Sequence, residues 1–227
     1  MTVAEWIPMA TSRLEQAGIA SPRLEAQLLS AHVLLVDRTY ILTHPEVELN
    51  ELAAETLIQR RESQEPLAYI LGFREFYGRR FRVDPSVLIP RQETELLIEE
   101  ALKRSPVRVL DIGTGSGCIA ITLKLERPDW DVWAVDISGA ALQVARENAE
   151  TLGAEITFRH SDLFSGIEGE KFDLILSNPP YIGVEEPLPE EVRNHEPATA
   201  LFADNHGLDI YQQLAATHRD YLTEEGT

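Results

Sequence analysis

Cysteine is almost absent from this chain of 227 residues, the single one being Cys118. A lone cysteine closes no internal disulfide. Six histidines occur without helical-turn spacing and without Cys pairs, so a metal site has little support. Positive charge is also scarce. Lys and Arg total 20 against 38 Asp and Glu, a net charge of −18, which repels a phosphate backbone at long range and disfavours nucleic acid as the main partner. No apolar run approaches the ~18 residues needed to span a bilayer. Residues 1–10 carry Glu5 where a secretory leader has lysines. These absences lead to the expectation of a cytoplasmic protein without a membrane partner. What is present is ample apolar material: 44% hydrophobic residues can bury a substantial core, in one large domain or an ordinary domain plus a small one.

Two patterns divide the chain. Through residues 1–72 the signals are helical. Thr2-Val3-Ala4-Glu5 reads as a capping box, Ser21-Pro22 starts a second helix, Asn50 caps a third, and a short segment from Pro66 stops at Gly72. Leu24, Leu28, Leu29 and residues 32–35 form an apolar face at helical spacing. This predicts a small all-α bundle. Its arginines are outnumbered by acids, so it is no electrostatic clamp for nucleic acid. Residues 73–89 change character, with aromatic and β-branched residues around Gly78 predicting a hairpin linker. From residue 90 to 227 helix and strand alternate. Strands are predicted at 107–112, 132–135, 156–159 and 172–177, with helices between them and a mostly helical tail from residue 188. That order requires an α/β fold, a parallel sheet with helices on both faces.

Chemistry-bearing residues fall at the carboxyl ends of those strands, where open α/β sheets bind ligands. After the first strand comes Asp111-Ile112-Gly113-Thr114-Gly115-Ser116-Gly117, whose glycines allow a tight turn at a helix start. A dinucleotide loop would want glycine at the sixth position counted from Gly113, and Cys118 stands there. Asp111 would repel a pyrophosphate but suits an ammonium or sulfonium charge. Asp136 ends the second strand, where an acid accepts hydrogen bonds from ribose hydroxyls; the plainer reading is a turn or cap former. Asp162 follows the third strand and could bond an adenine amine, with Leu163 or Phe164 over the ring, or Ser161-Asp162 could be a solvated turn. After the fourth strand comes Asn178-Pro179-Pro180-Tyr181. Two prolines cannot continue a strand, so the chain leaves the sheet with its shape fixed. The Asn side-chain oxygen and a proline-fixed carbonyl can accept both hydrogens of a planar NH2 group while the Tyr ring stacks on it. A rigid turn is the alternative. A glycine loop, a ribose acid, an adenine-level acid and an NH2 holder in this order fit one ligand, S-adenosylmethionine.

Together these residues resemble a class I S-adenosylmethionine-dependent methyltransferase acting on planar amide or amine nitrogens. Three further stretches narrow the resemblance: residues 66–72 with Phe76-Tyr77-Gly78, Leu88-Ile89-Pro90-Arg91-Gln92-Glu93-Thr94-Glu95, and residues 191–201 with Glu196-Pro197. They are similar to the release factor glutamine methyltransferases, which modify the glutamine of the Gly-Gly-Gln loop of peptide chain release factors. The resemblance implies a Rossmann-like catalytic domain. Asp111, Gly113, Thr114, Gly115, Ser116, Gly117, Asp136, Asp162, Leu163 and Asn178 would bind S-adenosylmethionine. Asn178, Pro179, Pro180 and Tyr181 would bind substrate, with Asn178, Pro179 and Tyr181 catalytic, and no metal would be needed. It also implies release factors as partners and substrate recognition by the helical bundle. The sequence departs from the family at Gln92, where a second proline is usual. It also stops at Thr227, where the family continues through further strands. A seven-stranded sheet would need roughly 50 more residues, so a shortened chain is expected.

Rival readings are a glutamine methyltransferase of a ribosomal protein, an adenine-N6 methyltransferase of DNA, a nicotinamide-dependent oxidoreductase, and a non-catalytic binding protein. Net charge argues against DNA, the sixth-position cysteine and Asp111 against nicotinamide, and the intact Asn-Pro-Pro-Tyr against loss of catalysis.

Overall fold

The computed structural model describes all residues 1–227, and its contacts divide them into two units. Met1–Gly72 with Pro189–His195 forms the first, and Phe73–Leu188 with Glu196–Thr227 the second.

The first unit is helical: α1 (Val3–Gln16), α2 (Pro22–Leu34), α3 (Arg38–Thr43), α4 (Glu51–Glu62) and α5 (Leu67–Leu71). Its starts follow the sequence signals. The Glu5 N–H donates to Thr2 Oγ1 while the Thr2 N–H donates to Glu5 Oε2, closing the capping box of α1. The Ala53 N–H donates to Asn50 Oδ1 at the head of α4, and Gly72 ends α5 in the left-handed region. Trp6, Leu14, Leu29, Ile41 and Ile58 interlock as the core, each fully buried side chain contributing about 1.5–3 kcal/mol. One expected core position fails. Leu35 is the left-handed C-cap of α2 and is 88% exposed, because the turn carries it off the apolar face. Buried Arg61 explains why a distant segment joins this unit. Its guanidinium donates to Glu25 at 2.6 Å and to Glu191 at 3.0 Å, and Glu191 belongs to the short helix α9 (Glu190–His195). The bundle therefore does not end at residue 72, as the sequence pattern suggests.

The second unit opens with an antiparallel hairpin, β1 (Phe73–Phe76) and β2 (Arg79–Arg82). Tyr77 and Gly78 both have positive φ, the two-residue turn that suits strand twist. The hairpin is not a linker. Phe76 and Phe81 are buried edge to face, with centroids 6.0 Å apart, in one core with Ile98 and Ile121, because two large aromatic faces cannot be left in water without cost.

A 3₁₀ turn at Gln92–Thr94 leads into α6 (Glu95–Leu102), followed by β3 (Arg108–Ile112), α7 (Cys118–Glu126), β4 (Asp131–Asp136), α8 (Gly139–Leu152), β5 (Thr157–His160) and β6 (Leu174–Ser177). The short helices α10 (Ala198–Leu201) and α11 (Asp204–Gly207) precede α12 (Asp209–Thr217). The four strands β3 to β6 are parallel in the order β5-β4-β3-β6. Strand alternation sorts the faces. Val109, Val132 and Ala134 meet α6 and α7, while Leu110, Ile112 and Val135 meet Phe164, Ile167 and Leu214 of α12. This is the class I methyltransferase fold. Its carboxyl edge lies where the chain, after building outward through β4 and β5, returns to place β6 beside β3. No helix is long and apolar enough to cross a membrane.

Candidate active site

Four strand ends converge on one cavity of about 350 Å³, within the range that holds small ligands. Gly113, Thr114, Gly115 and Ser116 line it after β3, Asp136 after β4, Asp162 and Leu163 after β5, and Asn178, Pro179 and Pro180 after β6. Three expected residues do not reach its wall: Asp111, Gly117 and Tyr181.

The glycine loop is held from below by backbone and side-chain bonds. The N–H groups of Gly113 and Thr114 both donate to the Val135 carbonyl, at 2.9 and 3.0 Å. Gly115 has positive φ, and a Cβ there would meet nothing within 4 Å. Its backbone is therefore bare toward the cavity. Gly117 serves packing instead, since a Cβ would stand 2.7 Å from Ile121 and 3.2 Å from Ala145. Asp136 does two things at once. Its Oδ2 accepts from the Gly115 N–H and its Oδ1 from the Ser138 N–H, both at 2.8 Å. Carboxylate oxygens each hold two acceptor sites, so capacity remains toward the cavity. The helix cap of α8 is Ser138, not Asp136.

Asp111 is fully buried. Its place in β3 alternates with Leu110 and Ile112, so its side chain sits on the face covered by α7. Thr114 Oγ1 donates to its Oδ2 at 2.6 Å, while Oδ1 has no partner. Burial pushes its carboxyl up to about 7, against the Thr114 hydrogen bond; the nearby Asp136 charge raises it further. Burial also raises Asp136. The Cys118 thiol, on the cavity wall, is pushed up to about 12 by burial and then by Asp111. It stays protonated and is no nucleophile.

After β5, Ser161 Oγ donates to the Leu163 carbonyl and accepts the Gly166 N–H, holding Leu163 at a φ of +49°. This turn aims Leu163 at the cavity and sends Phe164 the other way. Phe164 stacks on Tyr221 at 4.2 Å beneath the sheet, so it cannot cover a ligand ring.

After β6, Ser177 Oγ donates to the Ile112 carbonyl at 2.8 Å, and Asn178 Nδ2 donates to Thr94 Oγ1 at 3.2 Å. The next residues run against the Gly207 turn. Ile182 bonds Leu201 and Ala203 through the backbone, and a Cβ on Gly207 would lie 2.1 Å from the Tyr181 carbonyl. This packing leaves the Tyr181 ring 57% exposed at the surface.

Other wall residues carry no motif of their own. Thr94 and Arg91 stand on it, and Arg91 donates to the buried Glu196 at 2.6 Å, which also accepts the Ile89 N–H. Asn148 lies behind the glycine loop, donating to the Ser116 carbonyl at 2.9 Å. Stretches 88–95 and 196–197 were visible as family marks, but a partner a hundred residues away is not readable from local pattern. Asn148 left no signal beyond being a polar residue within a helix.

Two family models match the chain: the PrmC N-terminal domain over residues 5–72 and the Methyltransferase small domain over residues 91–187. A release factor glutamine methyltransferase of Koribacter versatilis is 48% identical, the match covering all of this chain and 84% of that protein. Namesakes from Neisseria gonorrhoeae and Geobacter sulfurreducens are 44% and 42% identical, over 100% and 99% of this chain and 82% of each of those proteins. The chain therefore belongs to the release factor glutamine methyltransferase family.

Proposed function

We propose that this chain transfers a methyl group from S-adenosylmethionine to the side-chain amide nitrogen of the glutamine in the Gly-Gly-Gln motif of peptide chain release factors. The observation that carries this reading is that Asn178 and Pro179 share one cavity with the glycine loop and Asp136. An NH2 holder without a donor cradle, or the reverse, would not support methyl transfer to a carboxamide.

The residues fit the donor. Bare backbone at Gly113 and Gly115 admits close approach, Asp136 has spare acceptor capacity for ribose hydroxyls, and Asp162 and Leu163, on the same wall, would take the base. Asp111 lies one hydrogen bond behind Thr114 of the cavity wall, where its carboxyl would ionise more readily once a cation is bound. When bound, the donor supplies an electrophilic methyl carbon on a sulfonium.

An amide nitrogen is a weak nucleophile because its lone pair is delocalised into the carbonyl. Asn178 Oδ1 and the Pro179 carbonyl accept its two hydrogens, which fixes the amide plane and adds electron density to nitrogen. The rate then comes from placement. The methylated amide cation is acidic enough to lose its proton to water or a carbonyl, so no general base is required. Tyr181, exposed beside this holder, packs on the incoming glutamine once the acceptor is seated.

Incubation with tritiated S-adenosylmethionine and separate purified release factors, ribosomal proteins and DNA tests the reading. Label on the side-chain nitrogen of the Gly-Gly-Gln glutamine is expected. Label on a ribosomal protein or on adenine instead would replace it with the corresponding rival.

A further inference from the structure

Asn178 can hold an amide NH2 only if its carbonyl end faces the acceptor. The two ends of a carboxamide are nearly the same size, so shape does not decide which one points into the cavity. With the NH2 end inward, donor would meet donor and the holder would repel its substrate. A contact outside Asn-Pro-Pro-Tyr can hold the productive direction.

The one side chain bonded to this carboxamide is Thr94, whose Oγ1 accepts from Asn178 Nδ2 at 3.2 Å. Thr94 is 84 residues away in sequence, 7% exposed, and on the same cavity wall as Asn178. It is also rigidly placed. It ends the 3₁₀ turn and stands at the head of α6, whose Ile98 and Ala101 are locked in the main core. Its own N–H is taken by the Arg91 carbonyl. Ser177, the neighbour of Asn178, is tied to the Ile112 carbonyl. The strand end thus fixes where the carboxamide stands, and Thr94 occupies its nitrogen.

We propose that Thr94 is a positioning residue for methyl transfer: its hydroxyl, able to bond either end of a carboxamide, bonds Asn178 Nδ2 and so holds the rotamer that presents Oδ1 to the acceptor amide. The assignment rests on Asn178 being the amide holder. It deepens that reading by naming what aims the holder. Thr94 contacts neither reacting atom through this bond; its effect passes through Asn178.

Three variants and two readouts test it. Thr94→Val keeps the branched shape and removes the oxygen, Thr94→Ala serves if the valine variant does not fold, and Thr94→Ser keeps the oxygen. Single-turnover methylation of a purified release factor should slow about 10- to 100-fold in Thr94→Val or Thr94→Ala. Calorimetry should find donor-product affinity unchanged, and Thr94→Ser should recover most of the rate. A wild-type rate in Thr94→Val, an equal loss of donor affinity, or no recovery in Thr94→Ser would each overturn the assignment. The second readout needs no acceptor. In nitrogen-15 spectra the bonded proton of the Asn178 side-chain NH2 should lie downfield and exchange slowly with solvent in wild type and Thr94→Ser, and should move upfield and exchange faster in Thr94→Val. If that proton is unchanged in Thr94→Val, the contact does not hold the carboxamide. If the bonded proton shifts as expected while no release factor is methylated by wild type, the acceptor assignment fails and the Thr94 contact stands.

Discussion

Asn148 and Arg82 form a reciprocal pair: the Arg82 N–H donates to Asn148 Oδ1 at 2.7 Å, and Asn148 Nδ2 donates to the Arg82 carbonyl at 3.0 Å. The same Nδ2 bonds the Ser116 carbonyl, so one side chain of α8 ties hairpin β2 to the glycine loop. Asn148→Ala strands three backbone groups at a site only 2% exposed. A loss of about 2–3 kcal/mol in urea unfolding is expected. Donor-product affinity should fall as well, because the loop loses its rear tie. Full retention of both would show that the clamp is dispensable.

Asp111 makes stability depend on pH with a definite sign. Its folded value, about 7, lies above the ordinary carboxylate value of 3.8. Between these the folded protein keeps a proton that the unfolded chain has lost, so stability is fully present below the lower value and declines as pH rises to the upper one. Asp111→Asn removes this slope. The variant should gain on wild type in thermal melts at pH 8 compared with pH 5. Parallel curves would assign the titration to another group.

Donor binding runs oppositely. A bound cation favours charged Asp111, so affinity for the sulfonium donor should rise toward pH 7 by up to about tenfold per unit and level off above it. Calorimetry from pH 5.5 to 8 reads this. The neutral thioether product should respond less, and equal responses would separate Asp111 from the sulfonium charge.

The two halves of the cavity should fail separately. Asn178→Ala is expected to lower the transfer rate at least about 10³-fold with donor affinity nearly intact. Asp136→Ala should weaken donor binding about 10- to 100-fold, since it removes both a cavity carboxylate and the anchors of Gly115 and Ser138. The reverse pattern in calorimetry and single-turnover assays would exchange the roles.

Gly207→Ala probes the strap that carries Tyr181. Its positive φ and the 2.1 Å approach to the Tyr181 carbonyl leave no place for a methyl group, so the strap must shift. The Michaelis constant for the release factor should rise while donor affinity holds. A parallel loss of both would mean that the damage spreads beyond the strap.

Legibility followed the range of the interactions. The capping box at Thr2, the Asn50 cap, the strand positions along the chain and the glycine loop are local, and their residues announce them. At Asp136 the turn-forming reading holds, through its bonds to the Gly115 and Ser138 N–H groups, and the carboxylate keeps acceptor sites for the proposed ribose contact. Phe164 was misplaced because one residue along a tight turn reverses the face a side chain meets, and Asp111 lies inside β3 behind Thr114 rather than on the cavity wall. Tyr181 was assigned by its neighbours in sequence, while Gly207 decides where it stands. Arg61 with Glu191, and Thr94 with Asn178, are pairings across 130 and 84 residues. Only the folded chain brings such partners together.

The anchoring of the glycine loop to the Val135 carbonyl has a consequence for how such an enzyme changes over time. On the proposed reading the fuel side of the reaction is moored to the middle of the sheet, whereas the recipient side hangs on a proline-stiffened exit and a separate strap. Substitutions that retune which protein is modified can therefore accumulate on the strap without loosening the grip on the common fuel.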